Sequence, residues 1–462
     1  MGTVENIERF LEELLGNVRI ENEALRESLS DCVSLTEYDA EDGTWSDSLQ
    51  KALNEHQTVI IPKSESAYII DRVITVPANR CIIAEDGAVI RLAEGVKTLM
   101  LRNANTVDGT RSPITGTERD RNITVIGGIW EDWCTSRMGY GKSGMYDGER
   151  SFFGVSTYML FENIDRLTLK NMTFKNCGGF ALQIGEAANV IIENICFENC
   201  FADGIHVNGN TENLHIKNVY GQVGDDLVAL NMYDWQNSSI NFGPCKNVLC
   251  EDLTLDKNSR YKALRIEPGI YTFDAESRVD CSLINAVFRR IKNIKTFKLY
   301  CQTPKYFPYE SAETGDVGSG SNIVFKDIKV DLDAPIDLLG EYLDSDPVKG
   351  SFAAFELGLN IDNFYLKNVD VRLHKEKYPY SYLLCIGPKA ARSSDCREIF
   401  DPSFSSTAEN IYLDNVTVNG KKIEKDGDFI REIVFDEIYG DMPSSGKGKI
   451  KNIILNDGET VL

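Results

Sequence analysis

Three segments of the sequence repeat one another at a nearly constant interval, and this repeat constrains the fold more than any other feature. Each segment carries an asparagine at the same point, at Asn171, Asn194 and Asn218, so the interval is 23 and then 24 residues. A second short apolar stretch follows each segment, and neither stretch has a helical pattern. A repeat of this length without a helix predicts a solenoid, here a parallel β-helix in which each repeat forms one coil.

Stacking of the coils predicts where acidic residues meet. Neighbouring strands lie about 4.8 Å apart, so residues one period apart become neighbours in space. Asp203 and Asp226 are 23 residues apart, and Asp225 adjoins the second of them. Alternation of side chains places His206 and Arg265 on the outer side of the same wall. The sequence therefore predicts three carboxylates, a histidine and an arginine on one solvent-facing wall.

The segment that opens the predicted solenoid resembles that of the pectate-lyase superfamily. It has an Asp-Gly turn, a short helix and then a strand at residues 58–62 that ends in proline. The resemblance implies an all-β fold, a single-stranded right-handed parallel β-helix over residues 36–462. Apolar residues on one face predict a helix within residues 1–35, which we expect to be a cap or extension that covers the open strand edges.

The acidic motifs resemble those of family 28 glycoside hydrolases, the polygalacturonase group. The sequence Gly-Asp-Asp at residues 224–226 matches the second motif of that family, and the stretch around Asp203 is similar to its first. Arg265 begins a resemblance to a later motif, but Glu267 stands where the family has lysine. The Gly-His-Gly motif of the family does not occur in the sequence.

The family resemblance implies hydrolysis of a glycosidic bond with inversion. In that mechanism Asp225 is the general acid that protonates the departing oxygen, and Asp203 with Asp226 activates the attacking water. Crowding of like charges raises the pKa of one carboxyl of such a set, which lets it hold a proton at neutral pH. The carboxyl groups of inverting enzymes stand about 6.5–9.5 Å apart.

Further residues near this wall are candidates for contacting the substrate. Arg265 would steer the sugar or stabilise developing charge, whereas Glu267 would repel a uronate carboxylate, which favours a neutral or weakly charged sugar. Tyr233 and Trp235 follow Asp226 and are candidate stacking platforms for sugar rings. The six candidates are Arg265, His206, Glu267, Trp235, Tyr233 and Lys262.

Long predicted loops indicate how the substrate is bounded. Loops at residues 131–157 and 303–320 would wall off the ends of the groove, which favours exo action on a short, plant-type oligosaccharide. No cofactor is expected. A metal at Asp203 and His206 would lack a third ligand, so none is expected either.

Composition excludes several classes of partner. The net charge is −22, from 71 acidic and 49 basic residues, which argues against nucleic acid and anionic membrane surfaces.

The N-terminus lacks the pattern of a signal peptide, which predicts a cytoplasmic protein unless a signal has been removed. The twelve cysteines include Cys177 and Cys200, which are one period apart, and we interpret them as buried, reduced thiols. His215 is expected at the surface, and the oligomeric state is not predicted.

Two other functions are compatible with the same fold. A polysaccharide lyase or epimerase would need a base beside the C5 proton of the sugar, and Lys262, Lys298 or Arg265 could supply it. A non-catalytic, tailspike-like module would bind glycan without turnover. An aspartate at a junction of turn and strand can also simply cap backbone amides, although three of them on adjacent coils favour the catalytic interpretation.

Overall fold

A computed structural model describes most of the chain. The described residues are 3–107, 116–137, 157–234, 239–272, 278–300, 317–333, 352–391, 398–400, 405–423, 429–432, 447–455 and 459–460. The predicted loops at 131–157 and 303–320 therefore lie largely outside the described residues, and so does the candidate platform Trp235.

Strands dominate the described part of the chain. Its helices are α1 (Val4–Glu27), α2 (Ser46–Glu55) and a 3-10 turn at Leu35–Glu37. The first strands are β1 (Cys32–Ser34), β2 (Thr58–Ile61), β3 (Tyr68–Ile70), β4 (Ile74–Val76), β5 (Arg80–Leu92), β6 (Leu101–Asn103), β7 (Asp120–Glu131), β8 (Thr157–Lys175), β9 (Phe180–Glu198), β10 (Ile205–Asn208), β11 (Thr211–Gly221), β12 (Val228–Asn231), β13 (Cys245–Leu255) and β14 (Ala263–Glu267). The later strands are β15 (Gly269–Thr272), β16 (Arg278–Cys281), β17 (Leu283–Arg289), β18 (Thr296–Tyr300), β19 (Ser319–Leu332), β20 (Phe352–Gly358), β21 (Asn360–Leu373), β22 (Ser381–Ile386), β23 (Lys389–Ala391), β24 (Glu398–Phe400), β25 (Ser405–Val418), β26 (Lys421–Lys422), β27 (Ile430–Glu432), β28 (Lys447–Leu455) and β29 (Glu459–Thr460).

The strands of successive coils pair in parallel, which confirms the predicted β-helix. β8 pairs with both β7 and β9, and β11 pairs with both β9 and β13. Twenty-five of the described strands join one sheet, and two short antiparallel pairs, β15–β16 and β23–β24, lie outside it. The three repeats found in the sequence lie in β8, β9 and β11, so each of them does form part of one coil.

The register across the coils is the one that the repeat predicts. Leu182, Ile205 and Val228 occupy equivalent positions on β9, β10 and β12, and all three are fully buried in the main core. The neighbouring outer column continues through five strands and contains Gln183, His206, Ala229, Arg265 and Lys298. The inner and outer faces expected from alternation are therefore confirmed.

Ladders of asparagine hold the turns between strands. Asn171, Asn194 and Asn218 all have positive φ angles, between 53° and 57°, which asparagine tolerates better than most residues. Their side-chain amides donate from coil to coil, at 2.8 Å for each of the two steps. A second ladder runs through Asn189, Asn213, Asn247, Asn285, Asn322, Asn363, Asn410 and Asn452. The repeated asparagines thus serve the turn conformation and also satisfy one another's amide groups, which are exposed in the first ladder and partly buried in the second.

A helical N-terminal cap is present, as predicted, and it has two parts. α2 packs Leu49 and Leu53 into the main core beside the first strands. α1 lies along the outside of the solenoid, where Ile7, Leu11 and Leu15 form a second apolar cluster with residues of successive coils. The coil residues of this cluster are Leu249, Val287, Val324 and Tyr365.

Ion pairs fix α1 to coils that are far apart in sequence. Glu8 pairs with Arg289 at 3.1 Å and with Lys326 at 2.8 Å, and Arg19 pairs with Glu193 at 2.5 Å. These partners lie on β17, β19 and β9, so the helix ties several coils together along the axis of the solenoid.

The cysteines of the described residues are all free. Cys177 and Cys200 are 0% and 3% exposed, in agreement with the prediction that they are stacked interior thiols. Neither α-helix of the described residues is long and apolar enough to cross a membrane.

Substitutions at Asn285 test the role of the ladders. Its amide donates to Asn247 at 3.2 Å and its carbonyl accepts from Asn322 at 3.0 Å, with φ at 54°. Asn285→Ala loses both hydrogen bonds and strains the backbone, so we expect the free energy of unfolding to fall by about 2 kcal/mol. Asn285→Gly loses the hydrogen bonds alone and should cost about 1 kcal/mol. Equal stability of Asn285→Ala and the unmodified protein in urea unfolding would contradict this account.

Candidate active site

Two strand entrances on neighbouring coils bring the three aspartates together. Asp203 precedes β10, and Asp225 and Asp226 precede β12, which pairs with β10. The backbone N–H of Gly204 donates to the carbonyl of Asp226 at 2.9 Å, so the ladder extends to the aspartates themselves. The predicted meeting of Asp203 and Asp226 across one coil step is therefore present in the structure.

Two glycines beside the aspartates are required by close approach of the backbone. A Cβ atom on Gly224 would lie 2.3 Å from the carbonyl oxygen of Phe201 on the preceding coil. A Cβ atom on Gly204 would lie 2.6 Å from the Phe197 ring and 2.7 Å from the Leu227 carbonyl oxygen. Any larger residue would push the two coils apart, so the glycines of these motifs let the acidic turns stack.

The three carboxylates form one tight cluster. One oxygen of each of Asp203, Asp225 and Asp226 lies within 4.8 Å of the others. The backbone N–H of Asp226 also donates to Asp203 Oδ1 at 3.2 Å. The carboxylate oxygens of the three aspartates are thus closer together than the carboxyl groups of inverting enzymes, which are typically about 6.5–9.5 Å apart. Asp225 Oδ1 and Asp226 Oδ1 are buried without a hydrogen-bond partner among the described residues, so each can hydrogen-bond to a bound molecule.

The cluster is less exposed than the sequence predicts. The side chains of Asp203 and Asp226 are 5% and 3% exposed, so the expectation that they face solvent is wrong. Asp225 is 14% exposed, and Arg137 covers it with an ion pair of 2.6 Å. The reason is that side chains from other parts of the chain close over the outer column, which alternation along a strand does not reveal. Solvent reaches the cluster through Asp225 and Arg137.

Burial changes the protonation of the carboxyls. For Asp226, burial raises the pKa well above its usual value, and the Arg265 charge opposes this only in part. For Asp203, burial and the charge of Asp225 raise the pKa, whereas the hydrogen bond from His206 lowers it. At neutral pH the cluster can therefore retain a proton on Asp226, as predicted for one member of such a crowded set.

His206 is buried, whereas contact with a substrate would require it to lie at the surface. Its side chain is 1% exposed and stacks on the Phe180 ring, with centroids 4.1 Å apart. Nδ1 lies 2.6 Å from Asp203 Oδ2, and Nε2 lies 3.1 Å from Asp234 Oδ2. Burial lowers its pKa, but the bonds to the two carboxylates outweigh burial and raise the pKa to about 9. The structure thus places His206 behind the aspartates and not in contact with a sugar.

Arg265 lies beside the cluster, as predicted, and it contacts Glu267. Arg265 Nε is 3.9 Å from Asp226 Oδ2, its Nη1 is 3.4 Å from Glu267 Oε1, and its Nη2 donates to the Tyr261 hydroxyl at 2.8 Å. Glu267 is 1% exposed, and burial raises its pKa well above the usual value despite Arg265. Burial favours the protonated form of Glu267, which weakens the repulsion of a uronate on which the argument for a neutral sugar rests.

The other candidate contacts lie apart from the cluster. Tyr233 is 2% exposed and packs against Phe242 in the main core, so it offers no face to a sugar. Lys262 donates to the carbonyl of Lys257 at 2.9 Å. Burial and the charge of Lys295 lower its pKa, and the carboxylates that oppose them, Asp333 and Asp256, are outside the cluster. Trp235, as noted, is outside the described residues.

Sequence reasoning missed two members of the site and underrated a third. Arg137 comes from a long loop that has no repeat, so nothing in the sequence assigns it a position. Asp234 lies three residues after the end of β12, where the alternation of side chains along a strand no longer applies. Lys298 was noted only as a base for a lyase, although it is fully buried directly beside Arg265 in the outer column. His215 was also misplaced, since it is 8% exposed and lies 3.0 Å from Glu251.

The cluster has the donor atoms for a metal but also carries its own cations. Three carboxylate oxygens within 4.8 Å could hold a divalent ion. However, Arg137 and Arg265 both have guanidinium groups against these carboxylates and would repel such an ion. We assign no metal to the cluster.

Comparison with known proteins agrees with the geometry. Residues 154–248 match the model of the glycosyl hydrolases of family 28. The chain resembles family 28. The matched segment contains all three aspartates, which confirms the resemblance predicted from the motifs at Asp203 and residues 224–226. No curated protein matches the chain in sequence.

Solved structures share the architecture at low sequence identity. A double mutant of the tailspike protein of E. coli bacteriophage HK620, in complex with a pentasaccharide, is 12% identical with a TM-score of 0.50, over 84% of this chain and 67% of that chain. An exopolygalacturonase from Thermotoga maritima is 12% identical with a TM-score of 0.45, over 97% of each chain. A family 28 exopolygalacturonase from Yersinia enterocolitica is 11% identical with a TM-score of 0.47, over 93% of this chain and 79% of that one. The tailspike comparison shows the β-helix fold.

The protonation of Asp226 predicts an unusual dependence of stability on pH. Its pKa is raised on folding, so its contribution to stability is complete below about pH 4 and is lost as the pH rises through the folded pKa. Between pH 4 and pH 8 the Asp226→Asn variant should therefore have a larger free energy of unfolding than the unmodified protein. The gain is about 1.4 kcal/mol for each unit by which folding raises the pKa.

Asp252→Asn is the matched control, because Arg290 lowers the pKa of Asp252 on folding. Asp252 stabilises above about pH 4 and loses this contribution as the pH falls. Its amide variant should be less stable than the unmodified protein at pH 7, the opposite sign. Urea unfolding between pH 4 and pH 8 measures both variants. A loss of stability in Asp226→Asn at pH 8 would contradict the assignment of a proton to Asp226.

Proposed function

We propose that the chain is a glycoside hydrolase that cleaves a short oligosaccharide at the cluster of Asp203, Asp225 and Asp226. The observation that carries the proposal is the convergence of three carboxyls from two coils, with two buried oxygens that have no hydrogen-bond partner in the part of the chain that the structure describes. The family 28 match over residues 154–248 supports glycosidic-bond hydrolysis. The fold by itself does not, because lyases and tailspikes share it.

The roles of the carboxyls follow from their surroundings. Asp225 is the most exposed of the three and acts as the general acid on the departing oxygen. Asp203 and Asp226 hold the attacking water between them, since two oxygens up to 4.8 Å apart can both hydrogen-bond to one water molecule, and the ionised Asp203 takes the proton that the water loses. Asp225 receives its proton from Asp226 by exchange within the cluster, and the proton taken up by Asp203 restores Asp226 after turnover.

Substrate binding must displace Arg137 from Asp225. The ion pair holds the Asp225 carboxylate at 2.6 Å and would keep it from protonating a leaving group. Arg137 is 33% exposed, so it is accessible to an incoming anionic group that could take the place of Asp225. Arg137 therefore suits a sugar that bears a carboxylate, and the charges of Arg265 and the fully buried Lys298 add positive potential without contacting the sugar. We propose a uronate-containing, pectin-type oligosaccharide as substrate.

Inversion and exo action are further parts of the proposal. Inversion is implied by the family resemblance and by the assignment of two carboxylates to one water. The separation of the carboxyls is nearer to the about 5–5.5 Å of retaining enzymes, so the product anomer is the decisive observation. Exo action rests on the expectation from the sequence that the long segments 131–157 and 303–320 close the ends of a groove, and both segments lie largely outside the described residues.

A substrate screen tests the proposed reaction. We expect turnover of short galacturonate oligosaccharides in preference to aryl galactosides, because the cations of the site would bind the uronate. Asp225→Asn should reduce kcat by about 10²–10⁴-fold, which is the usual contribution of general acid catalysis. Asp252 lies on another face of the solenoid, so Asp252→Asn should leave kcat unchanged. Binding of oligosaccharide without turnover by any form would contradict the hydrolase and favour a binding module.

The stereochemistry of the product tests the assignment of the water. Proton NMR of the first-formed reducing end should show the anomer opposite to that of the cleaved bond. Spectra must be recorded before mutarotation mixes the anomers. A first-formed product of retained configuration would mean that one aspartate attacks the sugar directly, and an unsaturated product that absorbs in the ultraviolet would indicate a lyase.

A further inference from the structure

His206 is a buried histidine whose two ring nitrogens both face carboxylates. Nδ1 lies 2.6 Å from Asp203 Oδ2, and Nε2 lies 3.1 Å from Asp234 Oδ2. Ionised carboxylates only accept hydrogen bonds, so both nitrogens must carry protons for both contacts to be hydrogen bonds. The Phe180 ring stacks on the imidazole with an angle of 8° between the planes, which fixes the orientation of the ring.

The third polar neighbour of the imidazole is fixed by other partners. Asn208 Nδ2 is 3.4 Å from His206 Nε2, but it donates to the carbonyl of Asn231 at 3.0 Å. Asn208 Oδ1 accepts from Gln183 Nε2 at 2.8 Å, so the amide cannot turn its oxygen towards the imidazole. Asp234 is therefore the acceptor for His206 Nε2.

These contacts belong to a closed circuit of acidic and basic side chains, which we call the charge ring. Asp234 hydrogen-bonds Glu267, Arg265 Nη1 lies 3.4 Å from Glu267 Oε1, and Arg265 Nε lies 3.9 Å from Asp226 Oδ2. The backbone N–H of Asp226 then returns to Asp203 at 3.2 Å. The members of the charge ring are Asp203, His206, Asp234, Glu267, Arg265 and Asp226.

We propose that His206 is a positioning residue of the proposed hydrolase, an imidazolium between Asp203 and Asp234 that orients the Asp203 carboxylate and preserves its negative charge. This inference rests on the proposed function, because it assigns Asp203 to the activation of water. The contact of Asp203 with His206 and with the Asp226 N–H leaves its carboxylate with a fixed direction. His206 itself does not touch the substrate.

The electrostatic surroundings support this role. Burial and the charge of Asp225 raise the pKa of Asp203, and the hydrogen bond from His206 is the largest effect that lowers it. The charged groups that face His206 are Asp203 and Asp234, and Asp225, Arg137 and Glu267 lie one contact further. Without the imidazolium, Asp203 would hold a proton at a higher pH and would accept one from water less readily.

The sequence contains a matched control for a buried histidine. His215 is 8% exposed and lies 3.0 Å from Glu251 under α1, so it also makes a buried contact with a carboxylate. It is outside the charge ring. His215→Asn should lower the thermal stability and leave the pH profile of the reaction unchanged.

Two substitutions separate the charge of His206 from its geometry. His206→Asn can place an amide N–H near the position of Nδ1, so it retains the bond to Asp203 but loses the charge. We expect the acidic limb of the kcat/KM profile to move up by about one pH unit. His206→Leu loses both, and we expect Asp203 to turn away from the Asp226 N–H in a crystal structure, with kcat about 10²-fold lower.

The charge on His206 can be measured without any substrate. The chain has four histidines, so long-range proton–nitrogen NMR of histidine-labelled protein can resolve each ring, with His206→Asn to assign the signal. We expect both nitrogens of His206 to be protonated at pH 7, with deprotonation near pH 9. Asp234→Asn should lower that value. A neutral His206 ring at pH 7 would overturn the proposal.

The two failures can be told apart. If no oligosaccharide is turned over, the proposed function fails, and the role of His206 in orienting Asp203 is decided by NMR and by the His206→Leu structure. An unmoved Asp203 in that structure would overturn the positioning role. If turnover occurs but His206→Asn changes stability alone, as His215→Asn does, the role of His206 is structural and the proposal is overturned while the hydrolase stands.

Discussion

In-register stacking of parallel strands is the constraint on which the rest of the structure depends. A slip of one residue between β10 and β12 would exchange the inner and outer faces, bury the polar column in the core and separate Asp203 from Asp226. Asparagine ladders and the lengthwise helix α1 both act against such a slip. The ladders fix the turn of each coil, and α1 pairs with charged residues on several coils at once. Register, more than any single contact, therefore creates the site.

The site keeps like charges together by alternating them with cations and by retaining protons. Asp203, Asp225 and Asp226 would repel one another as three bare carboxylates within 4.8 Å. His206, Arg137 and Arg265 each contact one of them, and burial favours the protonated form of Asp226. A cluster of this kind can donate and accept protons within one small volume, which is the requirement of a reaction that needs an acid and a base.

The repeat made the solenoid and the cluster predictable from sequence. A period of 23 residues fixes which strands stack, and alternation then fixes the column that carries His206 and Arg265. Contacts across the wall had no such signal. Arg137 arrives from a loop without a repeat, and Asp234 follows a strand after its alternation has ended. The burial of Asp203 and of Glu267 depends on what covers the outer column, which a strand pattern does not encode.

The substitution of lysine by Glu267 illustrates the difference between a motif and a site. The motif alone shows a carboxylate at Glu267 where family 28 has a lysine, and this predicts repulsion of a uronate. In the structure, Glu267 is part of a buried network with Arg265 and Asp234, and Lys298 and Arg137 bring positive charge from other elements. The charge that a substrate meets is therefore a property of the whole wall.

A crystal structure of Asp225→Asn with a bound galacturonate oligosaccharide is the most direct test that stacked coils create a single hydrolytic centre. The account predicts a glycosidic oxygen within hydrogen-bond distance of residue 225, about 3 Å. It also predicts a water molecule between Asp203 and Asp226 on the opposite side of the sugar ring, and an Arg137 that has left residue 225. An oligosaccharide bound along another face of the solenoid, without contact to residues 203, 225 and 226, would contradict this account.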